Sequence, residues 1–229
     1  MEIQILHMIE GAKAARGITV IIDVFRAFTT ESCLLARGAE CVIPVGDAEL
    51  ARRLKEEDPT RVLAGERGGR MLPGFDMGNS PAQAEHLEVM GKTVVHTTSA
   101  GTQGIANASG ADEILGGSLV TARATANYIL SQNPAVVSLV AMGLDATSET
   151  EEDTLCANYL AALLRGEEPD ITGEIAALRH TSGAKFFDPA QQDVFPEADF
   201  HIATDLNRFD FAIRLENRRD GLSRMRLVR

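Results

Sequence analysis

Asp23, Arg26, Thr29 and Thr30 fall within residues 22–30, where an apolar run gives way at once to an acid, a guanidinium and two hydroxyls. A carboxylate oxygen suits a hard cation such as Mg²⁺, and a planar guanidinium suits a phosphate oxyanion. The same residues could equally make an Asp23 to Arg26 ion pair with a threonine capping a helix. A second cluster, His96-Thr97-Thr98-Ser99-Ala100-Gly101-Thr102, places hydroxyls and a glycine ahead of a helix. Free amides there can bind an anion without a basic residue, although simple capping is the alternative. A third lies in residues 65–81, where glycines alternate with Glu66, Arg67, Asp76, Asn79 and Ser80. Glycine allows close backbone approach to a charged ligand; a structural Ω-loop is the plainer reading. The acidic run Glu151-Glu152-Asp153 either complements a helix dipole or adds ligands.

Missing motifs exclude several common chemistries. Cys33, Cys41 and Cys156 have Ala39, Asp47 and Ala162 six positions later, so no cysteine-phosphatase loop with its arginine exists. Asp23 is followed two positions on by Phe25, which removes the paired-aspartate signature of haloacid-dehalogenase-like phosphatases. Gly91-Lys92-Thr93 imitates the end of a nucleotide P-loop, but His86 stands where its first glycine is needed. His7, His86, His96, His180 and His201 show no ligand spacing. A net charge of -11 argues against nucleic acid and anionic membrane as partners. The three cysteines are widely spaced with no CxxC, which suits a reducing, cytoplasmic setting. Residues 1–11 read as a first strand rather than a signal peptide.

These clusters sit at the ends of short apolar runs. Residues 3–9, 18–22, 41–45, 62–64, 93–97, 113–115 and 135–141 read as strands, most of them too apolar for a half-exposed sheet. Residues 29–37, 47–57, 102–108 and 119–132 read as the helices between them. Buried strands joined by helices imply a three-layer α/β/α sandwich with a largely parallel sheet. Ligands bind at strand C-termini in such sheets, so the clusters are expected to converge on one edge. Residues 154–165 form an amphipathic helix with Leu155, Tyr159, Ala162 and Leu163 on one face, ended by Gly166. Beyond it the composition turns polar and aromatic, with Phe186, Phe187, Phe195, Phe200, Phe209 and Phe211. A single domain over residues 1–229, with a smaller lobe from about residue 166, accommodates that change. Arg214, Arg218, Arg219, Arg224, Arg226 and Arg229 are interrupted by Glu216 and Asp220, which suits a solvated face or a homodimer contact.

Five blocks, in order, resemble the 2-phosphosulfolactate phosphatase family: IDVFRAFTT at 22–30, GERGG at 65–69, GFDMGNSP at 74–81, TTSAGT at 97–102 and EEDTLCA at 151–157. They span about the first two-thirds of the chain. The resemblance implies a Mg²⁺-dependent acid phosphatase that hydrolyses 2-phospho-3-sulfolactate to 3-sulfolactate and phosphate, a step in coenzyme M synthesis, on an α/β/α fold of its own. Ser99 and Ala100 depart from the family's TTNGT turn, and Phe28 stands where threonine is frequent. Both departures bear on which 2-hydroxy acid ester is taken.

On that resemblance Mg²⁺ is expected among Asp23, Asp76, Glu66 and Asp153, bridging a phosphate oxygen. Arg26 and Arg67 would clamp phosphate or sulfonate. Thr29, Thr30, Asn79, Ser80, Thr97, Thr98, Ser99, Gly101 and Thr102 would supply further donors. A metal-activated water, a phospho-aspartate at Asp23 and Cys33 are the nucleophile candidates, in that order. The expected partner is a small-molecule phosphate ester. The rivals are a phosphatase for another 2-phospho-hydroxycarboxylate and a noncatalytic anion-binding protein of the same fold. Clustered carboxylates favour an enzyme, because anion binding alone gains nothing from them without a cation.

Overall fold

The computed structural model describes residues 1–217 and 221–229. In chain order its strands are β1 (Glu2–His7), β2 (Gly17–Ile22), β3 (Cys41–Pro44), β4 (Val62–Arg67), β5 (Arg70–Met71), β6 (Thr93–Thr97), β7 (Ala111–Gly117), β8 (Val136–Ala141), β9 (Ala212–Asn217) and β10 (Ser223–Val228). They form one sheet ordered β1-β8-β2-β7-β9-β10-β3-β6-β4-β5. Two blocks, β1-β8-β2-β7 and β3-β6-β4, are parallel throughout. Helices cover the faces of the sheet: Ile129, Tyr159 and Leu160 are buried on one side, and the Ala27–Ala36 helix lies on the other. The three-layer, largely parallel arrangement is therefore present. The first strand is shorter than its apolar run suggests, because the chain enters a helix at Met8–Ala14.

An antiparallel hairpin, β9–β10, joins the two blocks. It pairs with β7 at Leu115↔Arg214 and Gly116↔Ile213, and with β3 through Met225↔Val42. The last two strands of the chain thus return to the centre of the sheet. Aromatic residues beyond Gly166 pack inward, with Phe186 5.1 Å from Phe25 and 5.8 Å from Phe195 between ring centroids. Arg214 pairs with Glu216, Arg226 with Glu40, and Arg229 with Asp210, so much of the arginine-rich end is neutralised within the chain. Arg218, Arg219 and Asp220 lie outside the described residues.

The hairpin also corrects the one-edge expectation. Three antiparallel steps separate β7 from β3, so the two blocks run in opposite senses. Even so, the loops after β2 and β6 meet. The Gly101–Asn107 helix, which follows β6, lies over β2, and a Cβ on Gly104 would meet Ile21 Cγ2 at 2.5 Å. The Ala27–Ala36 helix is buried from Ala27 to Leu35, polar residues included. In a helix covered on all sides, hydroxyls tend to turn back onto their own backbone. Thr29 Oγ1 accordingly donates to Val24 O at 2.8 Å and Ser32 Oγ to Phe28 O at 2.6 Å. Thr29 and Thr30, expected as phosphate donors, are wholly buried in this helix and do not line the cavity described next.

Candidate active site

A cavity of about 250 Å³ is lined by five acids, the buried Asp23, Glu66, Glu152 and Asp153 and the exposed Asp145, and by two cations, Arg26 and Lys185. Three of the acids are held in the same way, each across two backbone amides. Asp23 follows β2; its Oδ1 accepts from Ala27 N at 3.0 Å and its Oδ2 from Gly101 N at 2.9 Å. Asp153 lies in the first turn of the Glu151–Leu164 helix and accepts from Val24 N and Gly143 N, both at 2.8 Å. Glu66 lies near the end of β4 and accepts from Ser99 N and Gly69 N, both at 2.7 Å. The acids therefore cross-link the loops after β2, β4, β6 and β8.

Amide donors favour the ionised carboxylate, whereas burial and neighbouring acids oppose it. Burial wins at Asp23, whose pKa is pushed up to about 6; Glu66 and Glu152 add repulsion, and the Ala27 and Gly101 amides pull the other way. Burial, then the charges of Glu152 and Asp23, hold Asp153 well above the usual aspartate range. Burial also raises Glu152. Glu152 Oε2 and Asn79 Oδ1, both on this cavity, are buried acceptors without a hydrogen-bond partner.

The amides after β6 fill a role other than the anion site expected of them. Ser99 N and Gly101 N point at Glu66 and Asp23, the chain's own carboxylates. Thr98 and Thr102 cap each other, Thr102 N donating to Thr98 Oγ1 at 3.2 Å and Thr98 N to Thr102 Oγ1 at 3.3 Å. Ser80 caps the Pro81–His86 helix and donates to Asp199 Oδ1 at 2.7 Å. Thr97 Oγ1 accepts from Arg67 at 2.9 Å.

Several charged residues also sit differently from expectation. Arg67 lies outside the cavity, its guanidinium committed to Thr97 Oγ1 and to the carbonyls of Glu66 and Gly46. Asp76 likewise stands apart from the other acids, because the loop carrying it folds back on β4. Its Oδ2 accepts from Leu63 N at 2.7 Å and pairs with Lys55 at 3.3 Å. Arg26 does line the cavity, but Nη1 bonds Asp199 Oδ2 and Val194 O, both at 2.8 Å, and Nη2 bonds Gly69 O at 3.1 Å. Its guanidinium lies 4.8 Å from the Phe195 ring centroid. Cys33 is buried off the cavity, and burial pushes its thiol up to about 12, so it holds no thiolate near neutral pH.

Asp23, Glu66, Asn79, Ser99 and Asp153 are thus brought together as the sequence suggested, and Glu152 joins them from the same acidic run. Lys185, Phe195 and the Arg26 partner Asp199 come from the aromatic C-terminal third. The phenylalanine density there was the only sequence signal for them. Among the described residues no three His, Cys, Asp or Glu side chains converge as a metal cage.

The fold and the cavity define an α/β/α protein with an acid-lined cavity. The chain belongs to the family described as 2-phosphosulpholactate phosphatase, which matches residues 4–212. It is similar to a protein of Caldicellulosiruptor saccharolyticus named "Probable 2-phosphosulfolactate phosphatase", with 38% identity over 73% of this chain and 71% of the relative. Proteins of the same name from Carboxydothermus hydrogenoformans and Synechococcus sp. are 39% and 36% identical. Those matches cover 72% and 81% of this chain, and 68% and 75% of the relatives.

Proposed function

We propose that this chain is a phosphoric monoester hydrolase acting on the phosphate ester of a 2-hydroxy acid, foremost 2-phospho-3-sulfolactate, with Mg²⁺ as its cofactor. Family membership supports the reaction, and the observation that carries it is the set of buried acids around one small cavity. A cation fits the donors present. Glu152 Oε2 and Asn79 Oδ1 are buried oxygens that lack donors, and Asp23 and Asp153 share their cavity. Oxygen donors suit a hard ion, and Mg²⁺ commonly takes one or two carboxylates with waters and phosphate oxygens completing its shell. Such an ion needs no three-acid cage. One or two of the acids Asp23, Glu152 and Asp153, together with Asn79, would hold it.

Bound there, Mg²⁺ would polarise a phosphoryl oxygen and ease attack by water. The chain's own share of the work is orientation. Asp23 and Asp153 are each fixed by two amides, so little side-chain freedom remains to be lost on binding. Phe25 and Phe195 line the same cavity, and apolar walls of this kind lower the local dielectric and strengthen charge interactions inside. Three buried, unbridged thiols suit a reducing, cytoplasmic setting. Among the described residues no helix is long and apolar enough to cross a membrane.

The test is phosphate release from 2-phosphosulfolactate and from a panel of 2-phospho-hydroxycarboxylates, with Mg²⁺ or with EDTA. Release that needs Mg²⁺ and is fastest for the sulfonated ester is the expected result. No release from any ester by folded protein in Mg²⁺ would overturn the reading.

A further inference from the structure

We propose that Lys185 is the specificity-determining cation of this cavity, the group that receives the second anionic group of the phosphate ester, a sulfonate or a carboxylate. The inference rests on the phosphatase reading above and adds to it how the substrate's other end is recognised.

The two cavity cations are not equivalent. Arg26 is 4% exposed and bonds Asp199, Val194 O and Gly69 O, so it serves as a wall of the site. Lys185 is half-buried, lines the cavity, and has neither an ion-pair nor a hydrogen-bond partner among the described residues. Its neighbours are aromatic faces: Nζ lies 5.2 Å from the Phe195 ring centroid and 5.6 Å from that of Phe186. Phe186 is wholly buried, which anchors the backbone of the short Ala184–Phe187 turn that carries the lysine. The ammonium feels the charges of Glu152, Asp23 and Asp153 across the cavity but hydrogen-bonds none of them, and a ligand anion would supply the acceptor that is missing.

The distribution of cations agrees with this placement. A divalent cation would answer two of the acid charges and take phosphate oxygens, which leaves the ester's remaining anionic group to find a cation elsewhere on the cavity. The expected phosphate donors are elsewhere engaged: the amides after β6 hold Glu66 and Asp23, and Arg67 faces away. Lys185 is then the one uncommitted cation lining the cavity among the described residues.

The experiment compares wild type with Lys185→Met, which keeps a stem to pack on the rings, and Lys185→Arg, which restores the charge. The substrates are phosphate esters on one carbon skeleton bearing sulfonate and carboxylate, carboxylate alone, or a neutral tail. The readout is the kcat/KM for each anionic ester divided by that for the neutral one. Lys185→Met is expected to lower this ratio about tenfold or more, mainly through KM, because a charge-assisted hydrogen bond is lost. Lys185→Arg is expected to restore part of it. A fall confined to the sulfonated ester assigns the lysine to the sulfonate, and an equal fall for both anionic esters assigns it to the carboxylate. An unchanged ratio in a variant that melts like wild type overturns the proposal, as does an equal loss on all three esters. Lys185→Gln replaces the Met variant should that one fail to fold. If wild type hydrolyses no ester, the phosphatase reading has failed by itself, and calorimetric titration with 3-sulfolactate decides the role of Lys185. Binding to wild type that disappears in Lys185→Met supports the assignment; equal binding by both, or none by wild type, overturns it.

Discussion

Asp23 Oδ2 accepts a hydrogen bond from Gly101 N at 2.9 Å, joining the loop after β2 to the loop after β6 across the seam between the two parallel blocks. The approach leaves no room for a side chain at residue 101. A Cβ there would lie 2.8 Å from Ala27 Cβ and 3.0 Å from Asp23 Oδ2.

Gly101→Ala is therefore expected to push the loop away from Asp23. Overpacking of this kind costs about 1–3 kcal/mol, which a urea unfolding curve would register. Phosphate release should fall with it, and wild-type stability together with wild-type turnover would refute the tight contact.

Asp23→Asn should cut phosphate release by about a hundredfold or more, since it removes a charge from the reacting cavity. Asn offers one acceptor oxygen where Asp offers two, so either Ala27 N or Gly101 N loses its partner. That loss costs about 1–3 kcal/mol and is partly offset by deleting a buried charge, so the variant should still fold by circular dichroism. Cys33→Ala, by contrast, should retain turnover, because the thiol is buried away from the cavity.

Asp23 also sets a pH dependence in protein free of metal. Its pKa is 3.8 unperturbed and about 6 when folded, so the native state holds a proton more tightly than the unfolded chain. The stabilisation is complete below 3.8 and lost as pH rises through about 6. The melting temperature in EDTA should accordingly fall from about pH 4 to about pH 7, and the fall should be shallower in Asp23→Asn. Asp153 and Glu152, raised in the same direction, should keep some slope in the variant. An identical slope in the variant would remove Asp23 from the account.

Arg26 and Asp199 form an ion pair with side chains 4% and 0% exposed. Asp199→Asn leaves the guanidinium without its counter-charge while sparing most of the volume. Breaking a buried pair from one side costs about 3–5 kcal/mol, read as a shift of the urea midpoint. A change inside the noise of the measurement would show that the pair is not what holds Arg26.

Much of the framework was legible because its signals are local. The apolar runs ending at Ile22 and Thr97 are buried strands, and the residues just after them do reach the cavity or its walls. What could not be read was direction. The amides of residues 99 and 101 look the same in sequence whether they await a ligand or already hold Glu66 and Asp23. Asp76 and Arg67 have the chemistry of a site but spend it on Leu63, Lys55, Thr97 and backbone carbonyls. Asp199 carried no spacing signal, since its partners Arg26, Ser80 and Ala82 lie more than a hundred positions earlier in the chain, and Lys185 stood only as a lone cation among phenylalanines. The hairpin was hidden for the same reason: a strand placed between distant strands is a property of non-local pairing, not of its own residues.

That hairpin has a consequence for how the protein is made. Every residue that lines the cavity precedes β9 in the chain. During synthesis both parallel blocks emerge before the two strands that continue the sheet between them. Pairing at such sequence separation is slow, because loop closure precedes its reward. A chain stopped just short of Ala212 would carry the whole chemical inventory of the cleft without the seam that aligns its two sides.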